Sequence, residues 1–343
     1  MAVEFGIDTF GDVTIDGTGE RTPHAQVLRD VVEEGVAADR AGLDFFGLGE
    51  HHRADFAVSS PEVVLAAIAA RTERIRLGSA VTVLSSDDPV RVFQRFSELD
   101  GISSGRAEVI IGRGSFTESF PLFGLDLQDY ERLFEERIEL FAELLTEGPV
   151  TWRGATRAAL SEQRVYPSSH SGAIRTWVGV GGSPESVVRA ARHRMPLMLA
   201  IIGGAHAHFA PYVDLYHRAL AQFGAPDLPV GVHSPGHVAA TDALARDRYF
   251  EHYSGMVATI GRERGWPPLT REAFEHDVDE GALVVGSPET VAQKIAGVVR
   301  ALGLSRFDLK YSAGTLPHTA LLETIELYGT AVVPRVRELL AED

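Results

Sequence analysis

Two short stretches of this sequence carry the residue types best suited to chemistry, Glu50-His51-His52 and Gly112-Arg113-Gly114-Ser115. An imidazole can give or take a proton near neutral pH, and it can also ligate a metal. Both stretches directly follow apolar runs that read as strands. Adjacent side chains at a strand end point to opposite faces, so at most one of His51 and His52 faces a pocket there directly. Arg113 is a permanent cation between two glycines, which let a backbone come close to an anion. Successive amides in such a turn can form an anion-binding concavity. The same four residues also read as a plain tight turn with an exposed arginine. They are not a Walker A loop, because G-x-x-x-x-G-K-[ST] does not occur.

A second pair of segments looks alike. Gly181-Gly182-Ser183-Pro184-Glu185-Ser186 and Gly286-Ser287-Pro288-Glu289-Thr290 both offer a serine cap, a proline at the first helical position and a glutamate in the positive first turn. Exposed amides at such a start suit a phosphate. At least one copy is only a good helix start, and the residues leave open which. Two further strand ends are polar, Asp8-Thr9-Phe10 and Ser85-Ser86-Asp87-Asp88-Pro89. No metal is expected, because no H-x-H pair ends the first strand and His206-x-His208 lies outside any strand.

The elements that must position these residues alternate along the chain. Apolar runs at Val3–Ile7, Phe45–Leu48, Ile75–Val83, Ala107–Ile111, Thr176–Val180, Leu197–Ile202, Val230–Val232 and Phe307–Lys310 read as strands. Helical spacing is found at Pro23–Ala41, Pro61–Arg71, Val90–Asp100, Leu127–Leu145, Pro184–His193, Ala207–Phe223, Thr241–Arg264 and Pro288–Ala301. In Leu127–Leu145, for example, Leu133, Phe134, Ile138, Phe141 and Leu145 recur three or four apart among charged residues. Such alternation demands a parallel sheet, since each parallel connection needs a crossover. Eight units match an α/β (β/α)8 TIM barrel, with a doubly wound open sheet as the rival architecture. The chain has 343 residues against about 250 for a bare barrel, so insertions are expected at Gly114–Gln128, Gly148–Arg175 and, the largest, residues 203–285. No linker divides residues 1–343, so one domain is expected. In barrels of this kind the reactive groups lie at the C-terminal strand ends, where Glu50, His51 and Arg113 fall.

Composition narrows the function classes. A net charge of −16 argues against binding duplex nucleic acid, whose phosphates demand a basic face. The absence of cysteine removes disulfides, thiolate metal sites and a cysteine nucleophile. The N-terminus lacks a secretory pattern, and the most apolar window, Met195 to Gly204, is half the roughly twenty residues a membrane helix needs. A cytoplasmic protein without membrane contact is the expectation.

Several motifs together resemble the bacterial luciferase-like flavin-dependent oxidoreductases. They are Ala41-Gly42-Leu43-Asp44 leading to Glu50-His51-His52, then Leu77-Gly78-Ser79-Ala80-Val81 and Pro89-Val90-Arg91, and finally Leu99-Asp100-Gly101-Ile102-Ser103-Ser104-Gly105-Arg106 before Gly112-Arg113-Gly114. The resemblance runs from about Val3 to Leu340 and is strongest in the first 120 residues. It implies a (β/α)8 barrel holding reduced FMN, usually as a homodimer, and an enzyme that acts with O2 on a small organic substrate through a flavin peroxide. A flavin reductase or NAD(P)H would supply the electrons. By the same resemblance His51 is the catalytic acid/base beside the flavin. Glu50 is a cofactor-binding residue, and Ala80-Val81 lies under the ring at the place of a non-proline cis peptide. Gly112, Arg113, Gly114 and Ser115, with Gly182, Ser183 and Ser186, meet the cofactor, Arg113 and the helix start at its phosphate. That favours the earlier of the two helix starts. Gly112 stands where the light-emitting luciferase has a reactive cysteine, so light emission is not expected. F420 in place of FMN, with hydride transfer instead of oxygenation, and flavin binding without turnover are the alternatives.

Overall fold

The computed structural model describes residues 3–114 and 116–342. Eight parallel strands close on themselves: β1 (Glu4–Thr9), β2 (Phe45–Leu48), β3 (Arg76–Val83), β4 (Ala107–Gly112), β5 (Arg175–Val180), β6 (Leu197–Ala200), β7 (Val230–Val238) and β8 (Arg306–Lys310). Each pairs with the next, and β8 returns to β1 through Glu4↔Arg306 and Asp8↔Lys310. The pairing of β6 with β7 completes the circle, which rules out the open sheet.

Local chemistry starts the helices where the sequence places them. Helix α1 spans His24–Arg40, α2 Pro61–Ala69, α3 Pro89–Ile102, α4 Tyr130–Leu144, α5 Pro184–Arg192, α6 Ala210–Gln222, α7 Pro288–Leu302 and α8 His318–Leu327. Asp88 caps α3 by accepting from the Val90 and Arg91 amides, with Pro89 at the first position. The outward faces of the strands bury Leu77, Val109 and Ile111 against helix residues such as Val92, Phe93, Phe96, Ile138 and Phe141. Each fully buried side chain of that size contributes about 1.5–3 kcal/mol of transfer free energy.

The barrel interior is built differently. Phe45, Ala80, Ile110, Trp177 and Met198 form a separate small cluster. Below it Arg306, wholly inaccessible, pairs with Glu108 and Asp308 and lies 3.6 Å over the Phe45 ring. Burial lifts the Asp308 carboxyl to about 6 against the pull of Arg306. Removing one partner of such a group costs about 3–5 kcal/mol, because the other charge is left buried.

The structure departs from the sequence reading in two places. The stretch 203–285 is not one insertion, since it contains α6 and β7 of the barrel itself. Its extra part is a helix at Asp242–Arg264, a second at Arg271–Asp279 and a short strand, Val284–Gly286, paired with the far end of β7. The helix over Thr241–Arg264 therefore belongs to the insertion. The eighth barrel helix is α8, which continues through a π-turn at Tyr328–Val332 into a last helix, Val333–Ala341. Residues 148–175 carry an antiparallel hairpin, Val150–Trp152 with Leu160–Gln163. Among the described residues no helix is long and apolar enough to cross a membrane.

Candidate active site

The C-terminal strand ends open on one mouth. After β2 the Gly49 amide donates to the Thr9 carbonyl and the His51 amide to the Val58 carbonyl, both at 3.0 Å, which fixes the chain entering Glu50-His51-His52. The His51 ring is boxed by Phe10, Phe56 and Phe116 at centroid distances of 4.8, 4.5 and 4.8 Å. Burial in this box pushes its pKa down to about 3, with Lys310 and Arg53 adding to the effect and Asp12 opposing it. His51 is therefore neutral at ordinary pH. His52 diverges to an edge-to-face contact with Phe123 at 5.1 Å.

Glu50 lies against β3, where its Oε1 accepts the Val83 amide at 3.0 Å. Burial, helped by the Asp87 carboxylate and opposed by the Val83 amide bond, raises its pKa to about 8. The carboxyl is protonated at neutral pH and can donate a hydrogen bond. Beside it the Ala80–Val81 peptide bond is cis. Glycines crowd this bond. A Cβ on Gly112 or Gly179 would come within 2.9 Å of the Val81 side chain, and one on Gly49 within 2.7 Å of the Ala80 carbonyl. The result is a floor of small residues.

Arg113 ends β4 with its guanidinium 5.4 Å over the Tyr130 ring and paired to Glu131. Tyr130 donates to the Gly114 carbonyl at 2.7 Å, and Gly114 has φ 75°, a left-handed conformation that favours glycine. Ser115 lies outside the described residues. Across from Arg113 the earlier helix start is built as expected: Gly182 has φ 105°, and Ser183 caps α5 by accepting the Ser186 amide at 3.2 Å. The sequence reading missed Arg189. It is 6% exposed, donates to Ser186 Oγ at 3.1 Å and lies 3.3 Å from Glu131 Oε2. Its position one turn after Ser186, on the same helix face, is the signal that could have found it.

The Glu131 carboxylate thus bridges Arg113 and Arg189; Arg189 also pairs with Glu135 and reaches the Ser186 hydroxyl at the helix start, so cationic donors gather where a phosphate would suit them. The later copy is different. There the Ser287 amide donates to Asp242 Oδ1 at 2.6 Å, Glu289 pairs with Arg335, and the Ser287 side chain makes no cap bond. Among the described residues, the grouping with metal-like spacing is Asp30, Glu33 and His318, on α1 and at the start of α8. The residues present fit a flavin mononucleotide: a floor of small side chains for a planar ring and a two-arginine site for its phosphate.

Comparisons with known proteins give the family and the fold. The family model for luciferase-like monooxygenases matches residues 3–306, and the chain belongs to that family of enzymes. A 4-hydroxyprotoasukamycin monooxygenase of Streptomyces nodosus subsp. asukaensis is 37% identical over 321 residues, covering 87% of this chain and 84% of that protein. The fold is shared with the FMN-bound oxygenating constituent of 3,6-diketocamphane monooxygenase from Pseudomonas putida (TM-score 0.79, 19% identity, 98% and 99% of the two chains). It is also shared with an F420-dependent secondary alcohol dehydrogenase (TM-score 0.74, 16% identity, 98% and 100% coverage).

Proposed function

We propose that this enzyme binds reduced FMN and uses O2 to oxygenate a small organic substrate. The observation that carries the reading is the anion site: Arg113 and the buried Arg189 converge on the Glu131 carboxylate at the barrel mouth, and Arg189 also donates to the Ser186 hydroxyl at the α5 start. When bound, reduced flavin supplies the two electrons that let one oxygen atom enter the substrate while the other leaves as water. The chain's own residues do the rest. Arg113, Arg189 and the Ser183–Ser186 helix start hold the phosphate, and Ala80, Val81, Gly112 and Gly179 give the ring its floor. Protonated Glu50 offers a hydrogen bond at the ring edge. Phe10, Phe56 and Phe116 keep water from His51, which accepts a proton through a nitrogen kept neutral by burial. Supply of reduced flavin by a separate NAD(P)H-dependent reductase and assembly as a homodimer go with this reading.

Anaerobic titration with reduced FMN and, separately, reduced F420, followed by admission of oxygen, tests it. Tight binding of reduced FMN and substrate-dependent oxygen uptake are expected. Preference for F420, with substrate oxidation that needs no oxygen, would replace the reading by hydride transfer. FMN binding without turnover on any substrate would leave a flavin carrier.

A further inference from the structure

A second imidazole lies near the mouth, and the oxygenase reading does not use it. Strand register places His233 of β7 beside Ala200 of β6 and Asp308 of β8, and Asp8 of β1 beside Gly47 and Lys310. This is the level of the floor: a Cβ on Gly47 would lie 2.9 Å from Ala80 Cβ and 3.0 Å from Asp8 Cβ. His233 Nδ1 is 2.7 Å from Asp8 Oδ2, while no residue among those described binds its Nε2. Asp8 Oδ1 is buried with no hydrogen-bond partner among the described residues. Phe10 separates the two histidines, stacked at 6.4 Å on His233 and edge-on at 4.8 Å to His51.

The surroundings drive the two rings to opposite charge states. Asp8, Asp308 and Lys310 face His233. Burial and Lys310 disfavour its cation, but the charge of Asp8 and its hydrogen bond, helped by Asp308, outweigh them and raise its pKa. Asp12, Lys310, Arg53, His52 and Glu118 face His51, and burial dominates there. Two titratable groups at one site whose pKa values are pushed apart are the mark of an acid and a base.

We propose that His233 and Asp8 form a second proton-handling pair at the mouth, in which His233 presents Nε2–H to an oxygen of the bound organic substrate and Asp8 is its positioning residue. This rests on the oxygenase reading and narrows the substrate to molecules bearing a carbonyl, enol or phenol oxygen. As negative charge develops on that oxygen, the Nε2–H bond breaks and an O–H bond forms. His233 is left neutral, Asp8 keeps its charge, no electron moves, and a solvent proton restores the cation.

The test has two arms. In the first, kcat against pH is measured for the wild type, His233→Asn and Asp8→Asn. The wild type should lose activity as pH rises through the raised pKa of His233. Asp8→Asn should move that basic limb down by a pH unit or more. His233→Asn should abolish the limb and lower kcat about 10²-fold. An unmoved limb with a uniformly lower kcat in both variants means a structural role only and overturns the proposal. In the second arm, NMR titration of the imidazoles in the wild type needs neither turnover nor a folded variant. His233 should stay cationic above pH 6.5, and its Nε2–H signal should shift when phenol or cyclohexanone is added. A neutral His233 at that pH, or no shift with either probe, overturns the pair. Failure of FMN-dependent oxygen uptake, with the NMR result intact, would fault the oxygenase reading and not the pair.

Discussion

The two helix starts, Ser183-Pro184-Glu185-Ser186 and Ser287-Pro288-Glu289-Thr290, are nearly identical in sequence and differently surrounded. At the later one Asp242, reaching from the insertion helix, already occupies the Ser287 amide, and Arg335 neutralises Glu289. The helix start is filled by the chain's own carboxylate. At the earlier one the Ser183 hydroxyl caps the Ser186 amide, and the two arginines meet Glu131, whose side chain is 60% exposed. One helix start completes the fold and the other remains available to an external anion. A cap motif announces a helix; only the charges brought to it from other elements make it a binding site.

Five substitutions would break or sharpen that contrast. The largest effect belongs to neither helix start. If α5 holds the cofactor and the strand ends do the chemistry, His51→Ala should lower turnover about 10²-fold or more and change FMN affinity little, as stopped-flow kinetics beside an equilibrium titration would show. Next, Asp242→Ala should cost about 1–2 kcal/mol in denaturant unfolding, because it frees a charged hydrogen bond at α7. The Asp242 pKa is lowered, chiefly by its bond to the Ser287 amide. Its contribution is therefore present above about pH 4 and lost as pH falls through the lowered native value, and the variant should lose that acid dependence. Ser183→Ala should cost about 1 kcal/mol as a lost cap and weaken FMN binding about fivefold. Ser287→Ala should do neither, since its hydroxyl makes no cap bond. The smallest measurable effect is Glu131→Gln, which removes the internal competitor and should tighten FMN binding by about two- to fivefold, the range of an exposed ion pair.

Much of this was legible in the residues. All eight barrel strands appear as apolar runs, and His51 and Arg113 stand at their C-terminal ends, where the fold puts chemistry. What stayed hidden depended on distant elements. Asp8 stood out as a polar strand end, but its partner His233 lies just beyond the Val230–Val232 run, inside a strand that continues to Val238. Arg189 carries no motif and matters only because α4 brings Glu131 to it. Helix α8 escaped notice because the π-turn at Tyr328–Val332 breaks the helical period between His318 and Ala341. The repeated Ser-Pro-Glu start could not be resolved by its own residues, because Asp242 and Arg113 decide it from elsewhere.

The most direct test of the account is an equilibrium titration of the wild type and Arg113→Ala with FMN and with riboflavin, which has the same ring and no phosphate. The wild type should prefer FMN, and Arg113→Ala should lose about 1.5–3 kcal/mol of FMN affinity while riboflavin binding hardly changes. Equal weakening of both ligands, or an unchanged preference for FMN, would contradict the assignment of the anion site and the flavin reading built on it.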